Sequence, residues 1–218
     1  MYKKTALAFA ASLLIFPVTA YASDDGAEFW LNPSVSVDVD DNTGLEIETA
    51  QRFRDAGEGR ADTYFVRLWV NQKIADNVTL SGAFESRVND GASNETRLIQ
   101  QMTTKHGILR TRLRLEQRFV EDADRMGLRI RPRIGAAIPL GDDGKWTFKS
   151  DAELFFTLRG NNRGSSTGLT GLRTQVGLAY DLSDRISLSA AYLRQQDIRN
   201  GRPDTIGHAP IIGIEYSF

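Results

Sequence analysis

The chain contains no cysteine and only two histidines among its 218 residues. It can therefore form no disulfide framework and carry out no thiol chemistry. Two histidines leave little from which to build a metal site, and we expect neither a metal nor another cofactor. The formal net charge of -1 argues against a nucleic-acid partner, because proteins that bind nucleic acids present a strongly basic surface.

Long apolar runs are missing from most of the chain. After Ala22 none approaches the roughly 18 residues that mark a transmembrane helix. The one apolar run, Ala6 to Val18, follows Lys3 and Lys4 and precedes Ala20-Tyr21-Ala22. A basic start, a short apolar run and small residues at a cleavage site are typical of a secretory signal peptide. The sequence predicts a cleaved signal peptide over residues 1–22 and one exported domain over residues 23–218.

The rest of the sequence alternates between apolar and polar residues, with a period of two. No helical period persists for three turns, and residues typical of turns separate the alternating runs. Soluble strands have about 5 or 6 residues, whereas a tilted membrane-spanning strand needs about 9 to 11, and most of these runs are at least that long. The predicted strands are 30–39, 44–53, 62–74, 77–88, 95–105, 107–119, 127–139, 145–158, 171–181, 185–196 and 208–218.

These runs predict an all-β fold, a closed antiparallel transmembrane β-barrel of 10–12 strands. Bacterial single-chain barrels have even strand numbers, which conflicts with a count of eleven. Either the segment 30–39 does not cross fully, or one strand has been missed or split. The connections at 76–77, 140–144 and 181–185 are short, as periplasmic turns are. Those at 54–60, 88–94, 121–125, 160–169 and 199–207 are longer, as extracellular loops are.

The last predicted strand ends on an aromatic residue. Ile212, Ile214, Tyr216 and Phe218 share one face of it, and a terminal aromatic on such a strand is the signal read by the barrel-assembly machinery of Gram-negative bacteria. We therefore expect an outer-membrane location, with that machinery and the outer-membrane lipids as partners. Aromatic residues near strand ends predict interfacial girdles: Trp30, Tyr64, Trp146, Phe156, Tyr180, Tyr192, Tyr216 and Phe218.

Two consecutive predicted strands carry a charged residue at every second position. Their charged faces must look into the barrel, because an arginine facing lipid near the midplane costs about 2 to 4 kcal/mol. Carboxylates on neighbouring inward faces are expected to interleave with the guanidinium groups. The predicted charged ladder of the interior comprises Arg97, Arg110, Arg112, Arg114, Glu116, Arg118, Arg129, Arg131, Arg133, Asp151, Glu153 and Arg173.

Two interpretations of this ladder remain open. Rings of arginine set anion selectivity in pores, so the barrel could be a narrow channel that prefers small anions. Small barrels, however, generally fill their interiors with side chains, so the charges could pair with one another in a structural barrel, the interpretation we favour. A third alternative is a soluble or peripheral periplasmic β-protein that binds an acidic ligand, for instance a β-sandwich, whose strands also alternate.

An enzyme at the rim of the barrel is the weakest hypothesis. A hydrolase would need a base such as His208 within hydrogen-bond reach of a nucleophile such as Ser165, Ser166 or Thr167. His106 lies in a tight turn that we expect at the opposite end of the barrel. Nothing in the spacing brings these groups together, and we predict no catalytic residue.

Several segments, in order, resemble the domain-of-unknown-function 2490 family, a group of proteobacterial and Bacteroidetes proteins regarded as outer-membrane barrels. They are Phe29-Trp30, Glu95 to Gln101, Arg110 to Phe119, Leu128 to Arg131, Glu153 to Phe155 and Tyr192 to Gln195. Where that family often carries an Asn-Arg pair, this chain has Leu172-Arg173, which leaves only the arginine in place. The resemblance implies an outer-membrane barrel without an established activity, and it transfers no catalytic residues.

Overall fold

The structure is a computed structural model that describes residues 24–54 and 61–218. The predicted signal peptide, residues 1–22, lies outside these residues. The described residues form strands and connections with no helix, and hence no helix that could cross a membrane. The strands are β1 (Asp24–Asp38), β2 (Thr43–Arg54), β3 (Thr63–Ala75), β4 (Val78–Asn89), β5 (Ala92–His106), β6 (Leu109–Val120), β7 (Gly127–Leu140), β8 (Trp146–Arg159), β9 (Gly168–Ser183), β10 (Ile186–Asp197) and β11 (Thr205–Ser217).

All eleven strands belong to one sheet that closes on itself. Each strand pairs antiparallel with its neighbours in sequence, and β1 closes the barrel by pairing parallel with β11. The prediction of a closed all-β barrel with 10–12 strands is confirmed, with the parallel seam as an exception to antiparallel pairing. Since hairpins reverse the chain at each step, an odd number of strands leaves the first and the last pointing the same way.

Both explanations offered for the odd count are wrong. The predicted run 30–39 belongs to a full strand that pairs with β2 from Glu28↔Arg54 to Asp38↔Gly44 and with β11 from Asp24↔Thr205 to Ser36↔Ser217. No strand is missed or split in the described part of the chain. The backbone N–H of Phe218 extends the seam by donating to the carbonyl oxygen of Ser36, at 3.0 Å.

One predicted long loop is also wrong. The segment 88–94 was expected to be an extended connection, but β4 continues to Asn89 and β5 begins at Ala92. Only Asp90 and Gly91 form the turn, and Gly91 takes a positive φ of 76°, which glycine adopts without steric cost. The amide group of Asn89 donates to the carbonyl oxygen of Ser93 at 2.7 Å and ties the two strands together.

A side chain fixes the hairpin between β1 and β2 at the opposite end of the barrel. The carboxylate of Asp40 accepts hydrogen bonds from the backbone N–H groups of Asn42, at 2.8 Å, and Thr43, at 2.9 Å. These bonds favour the charged carboxylate and lower the pKa of Asp40 below its usual value. The connections at this end are short, as the sequence predicted for 76–77 and 140–144. The third predicted turn, 181–185, is shorter than predicted, because β9 continues to Ser183 and only 184–185 connect it to β10.

The two faces of the barrel wall differ sharply in polarity. On β3, Leu68 is 50% exposed on the outer face, whereas Arg67 is 4% exposed inside. Leu68 lies between Ile47 of β2 and Phe84 of β4, and all three are exposed. The outer surface is therefore apolar and the interior is charged, the reverse of a soluble β-sandwich. The sandwich alternative is wrong, because the single sheet is closed.

The interior has an apolar wall and a charged wall. Trp30, Leu193, Ala209 and Ile211, from β1, β10 and β11, pack together as a buried apolar cluster. The strands β3 to β8 supply most of the buried charged residues that face it. The prediction that Trp30 belongs to an outer girdle is wrong: it is 2% exposed, because it alternates in phase with Asn32 and Ser34 on the inner face of β1.

Candidate functional site

The arginines of β6 and β7 stand side by side inside the barrel. Arg112 pairs in register with Arg133, and Arg114 with Arg131. Like charges directly opposite one another destabilise a sheet, so this arrangement requires carboxylates from other strands. Two clusters of ion pairs supply these carboxylates.

The first cluster is centred on Glu116 of β6 and Glu153 of β8, which are 0% and 1% exposed. Arg131 bridges them, donating to Glu116 at 2.6 Å and to Glu153 at 2.6 and 3.1 Å. Glu116 also accepts from Arg129 at 2.9 Å. Glu153 further accepts from Arg112, and the guanidinium group of Arg173 lies 3.7 Å away. Each buried carboxylate thus holds several guanidinium groups, so that removing it would leave more than one charge unpaired.

The second cluster is centred on two carboxylates of neighbouring strands, Glu85 of β4 and Glu95 of β5. Glu85 accepts hydrogen bonds from Arg67 at 2.8 Å and from Arg87 at 2.8 and 3.0 Å. Arg97 lies 3.4 Å from Glu85 and donates to Glu95 at 2.6 and 2.8 Å. Hydrogen bonds between ionised groups are about twice as strong as neutral ones. The contacts of Glu85 with Arg67 and Arg97 join neighbouring strands, whereas the other two pairs lie within one strand.

The structure brings together eleven of the twelve ladder residues that the sequence predicted. Besides the members of the two clusters, Arg118 donates to Glu95 at 3.2 Å, Arg114 to the side-chain oxygen of Gln101 at 2.7 Å, and Arg133 pairs with Asp151 at 3.1 Å. Arg110 is the exception. It is at the exposed end of β6, where its guanidinium group donates to the carbonyl oxygens of Gly107 and Leu109.

Four buried aromatic rings lie between the guanidinium groups. The predicted charged ladder includes none of them, because it contains charged residues only. Phe155 has Arg131 at 4.4 Å from its ring centroid, and Phe65 has Arg67 at 4.6 Å. Trp69 has Arg114 at 5.2 Å, and Trp30, the fourth, holds Arg52. A cation over an aromatic face gains about 0.5 to 2 kcal/mol. The period of two could have revealed Phe155, since it follows Glu153 by two residues.

A cavity of about 290 Å³ lies between the charged wall and the apolar wall. Its lining includes Trp30, Phe65, Phe155 and Leu193, but arginine dominates it. The lining arginines are Arg52, Arg54, Arg67, Arg87, Arg97, Arg112, Arg114, Arg129, Arg131, Arg133 and Arg173. Ten of these eleven arginines form ion pairs within the described chain, and they share seven carboxylates, so the lining arginines outnumber their carboxylate partners by four. The carboxylates are Glu28, Glu48, Glu85, Glu95, Glu116, Asp151 and Glu153.

Arg52 of β2 shows where this excess is concentrated. Its guanidinium carbon lies 3.9 Å from the ring centroid of Trp30 and 5.2 Å from that of Phe65. It forms no hydrogen bond or ion pair with any described residue, and its Nε is buried without a partner. Arg173 also contacts Trp30, at 5.0 Å. Two guanidinium groups therefore share one aromatic ring, and Arg52 forms no ion pair within the part of the chain that the structure describes.

The rim of the barrel contains no assembled hydrolytic site among the described residues. Nδ1 of His208 hydrogen-bonds the hydroxyl group of Tyr192 at 2.5 Å, and their rings stack at 6.0 Å. Ser165 instead hydrogen-bonds within its own loop, accepting from the backbone N–H of Asn162 at 3.4 Å. At the other end, His106 contacts the amide group of Asn77 at 3.3 Å. Among the described residues, neither His208 nor His106 forms a hydrogen bond with Ser165, Ser166 or Thr167.

Comparison with known proteins places these features in a family. A family model described as "Protein of unknown function (DUF2490)" matches residues 27–206. An uncharacterised protein of Methylorubrum extorquens is 26% identical over 199 residues, which cover 85% of this chain and 86% of that protein. A solved structure described as "Unveiling the Mechanism Behind the in-meso Crystallization of Membrane Proteins" has a TM-score of 0.44 and 12% sequence identity, covering 83% of this chain and 79% of that chain. The family model spans most of the described barrel, and the chain belongs to the family of proteins of unknown function designated DUF2490, as the quoted segments of its sequence predicted.

Proposed function

We propose that the protein is an outer-membrane β-barrel of a Gram-negative bacterium whose interior is closed by its own charged side chains. Its inverted polarity supports the proposal most directly. Glu85, Glu116 and Glu153 are almost completely buried inside the wall, whereas the apolar side chains of Leu68, Ile47 and Phe84 are exposed outside. A water-soluble monomer rarely exposes an apolar surface of this kind, while the hydrocarbon core of a bilayer favours it.

The ends of the strands are consistent with the same placement. Trp146 and Tyr180 lie 4.6 Å apart between ring centroids, and Tyr216 and Phe218 lie 4.9 Å apart. These rings are near the end with short turns, which we assign to the periplasm, and Tyr192 lies towards the other end. Aromatic residues at both levels would anchor the wall at the two interfaces. Phe218 is 70% exposed, an orientation in which the assembly machinery could bind it.

The location is tested by fractionating cells that express the full chain. We expect the mature protein in the outer-membrane fraction, soluble only with detergent. Unboiled and boiled samples should migrate differently in a gel, because a closed barrel resists denaturation by the detergent until it is heated. Recovery of the protein from a soluble periplasmic extract, without detergent, would instead support the alternative of a soluble protein that binds an acidic ligand.

The interior network predicts how the barrel conducts ions. The ion-paired side chains and aromatic rings project into the interior and leave a cavity of about 290 Å³, so we expect a conductance in planar bilayers far below that of an open porin. Any current should favour chloride over potassium, because four positive charges remain in excess along the cavity. Replacing Arg112, Arg114 and Arg131 by glutamine should weaken that preference, which the reversal potential in a salt gradient measures.

A specific observation favours the narrow channel as a second function. The cavity is lined by eleven arginines, whereas Glu48 is its one lining carboxylate among the described residues. A large conductance with a preference for cations would contradict both the closed interior and the narrow anion-preferring channel. If no current were measured, the barrel would be structural and not a channel. Its excess of arginine would then act on anions only by binding them.

A further inference from the structure

We propose that the interior cavity is a binding site for a small oxyanion, a phosphate or carboxylate group held by Arg52. This inference goes beyond the proposed membrane function, since it depends on the interior alone and can be tested on the barrel in detergent micelles. Arg52 is half-buried, its Nε is fully enclosed, it lines the cavity, and it forms no ion pair with a carboxylate of the described residues. A guanidinium group without an ion-pair partner inside the barrel is unfavourable, and a bound anion would supply that partner.

Unpartnered polar atoms converge on the same cavity. Three buried side-chain atoms that line it have no hydrogen-bond partner in the described chain: Nε of Arg52, Nε of Arg112 and Oδ1 of Asn32. The two Nε–H groups are donors that an oxyanion can use. Arginine suits this ligand because its planar group binds carboxylate or phosphate through two parallel hydrogen bonds.

The surroundings hold the guanidinium group in place for such a ligand. Trp30 supports Arg52 at 3.9 Å and Arg173 at 5.0 Å. Arg173 is itself oriented by a hydrogen bond from its Nε to the side-chain oxygen of Gln195, at 3.2 Å. Trp30 belongs to the buried apolar cluster, so the ring that both arginines contact is itself held in place by packing. The site is therefore organised before the ligand arrives.

The size of the cavity limits the ligand. A volume of 290 Å³ corresponds to about ten water molecules at roughly 30 Å³ each. Inorganic phosphate or a small carboxylic acid fits this space, whereas a nucleic acid, a peptide or a lipopolysaccharide molecule is too large for it. Water is the competing occupant, since ordered water could also satisfy the three unpartnered atoms.

Inorganic phosphate is the probe, titrated into the refolded barrel against sodium chloride of equal ionic strength. We expect phosphate to bind with one site per barrel in calorimetry and to raise the denaturant midpoint, whereas chloride does neither. Arg52→Gln should weaken binding by at least about tenfold, because a hydrogen bond to a charged group is lost. The matched control is Arg110→Gln, at the exposed end of β6, which should bind phosphate as the wild type does.

A stability measurement separates a binding role from a structural one. In chloride alone, Arg52→Gln should unfold at the same denaturant concentration as the wild type or at a higher one, because the substitution removes a guanidinium group that forms no ion pair inside the barrel. Only its response to phosphate should be lost. Arg52→Met, which keeps the length of the side chain, serves as a second variant if glutamine disturbs folding. Phosphate binding absent from the wild type, or equal in both Arg52 variants and the wild type, would overturn the proposal and leave water in the cavity.

Discussion

Replacing Glu153 by alanine is expected to lower the free energy of unfolding by about 3 to 5 kcal/mol, the cost of breaking a buried ion pair by removing one partner. Glu153 is 1% exposed and holds Arg112, Arg131 and Arg173. Without it, three guanidinium groups would face an interior that already contains excess positive charge. Equilibrium unfolding in guanidinium chloride, with the barrel in micelles, measures the change.

The matched control is Asp151→Ala, two residues earlier on the same face of β8. Asp151 forms one ion pair among the described residues, with Arg133; the side chain of Arg133 is 37% exposed and that of Asp151 is 8% exposed. Because solvent screens the arginine of this single pair, the loss should be smaller than for Glu153, about 1 kcal/mol. A double variant that also replaces Arg131 by methionine should recover part of the loss, since an apolar residue can replace a buried charge with little cost. Equal, small effects of Glu153→Ala and Asp151→Ala would mean that water screens the interior and that the network is not a closed one.

Much of the fold was readable from alternation, and the exceptions have physical causes. The phase of β3 is unambiguous, because apolar Val66 and Leu68 flank Arg67. The turn at Asp90-Gly91 was missed because the surrounding residues are polar, although Asp-Gly between two strands is itself a strong hairpin signal. Trp30 was misplaced because an aromatic residue near a strand end fits a girdle and an interior equally well by type. The two positions are distinguished only by the alternation along β1, which places Trp30 on the same inner face as Asn32.

The ion-pair partners could not be predicted from the sequence. Which carboxylate meets which arginine depends on the stagger of a closed sheet. Arg112 of β6, for example, reaches over β7 to Glu153 of β8, although Arg133 stands opposite it in register. Arg114 is bound by Gln101, a neutral side chain that a search for opposite charges passes over. The sequence identifies which residues face inward, but the unpaired state of Arg52 emerges only once the closed sheet is known.

Replacing Leu68 by arginine is expected to destabilise the barrel in phospholipid vesicles by about 2 to 4 kcal/mol, the cost of a cationic side chain at the midplane of a bilayer. Leu68 lies near the middle of β3 on the outer face and is 50% exposed. The matched control is Ile74→Arg, near the end of β3, where the side chain is 57% exposed and the cost should fall to about 0 to 1 kcal/mol. Denaturant unfolding of the vesicle-inserted barrel gives both values.

The difference between these two variants tests the membrane assignment more directly than either value does. Both side chains are exposed, so neither substitution leaves a cavity or buries a charge within the protein itself. In water, an arginine at either position would be tolerated about equally, because exposed substitutions usually change stability by no more than about 0.5 kcal/mol. A dependence on depth can arise only from the solvent outside the barrel. If Leu68→Arg and Ile74→Arg proved equally harmless in vesicles, lipid would not be the solvent of the outer face.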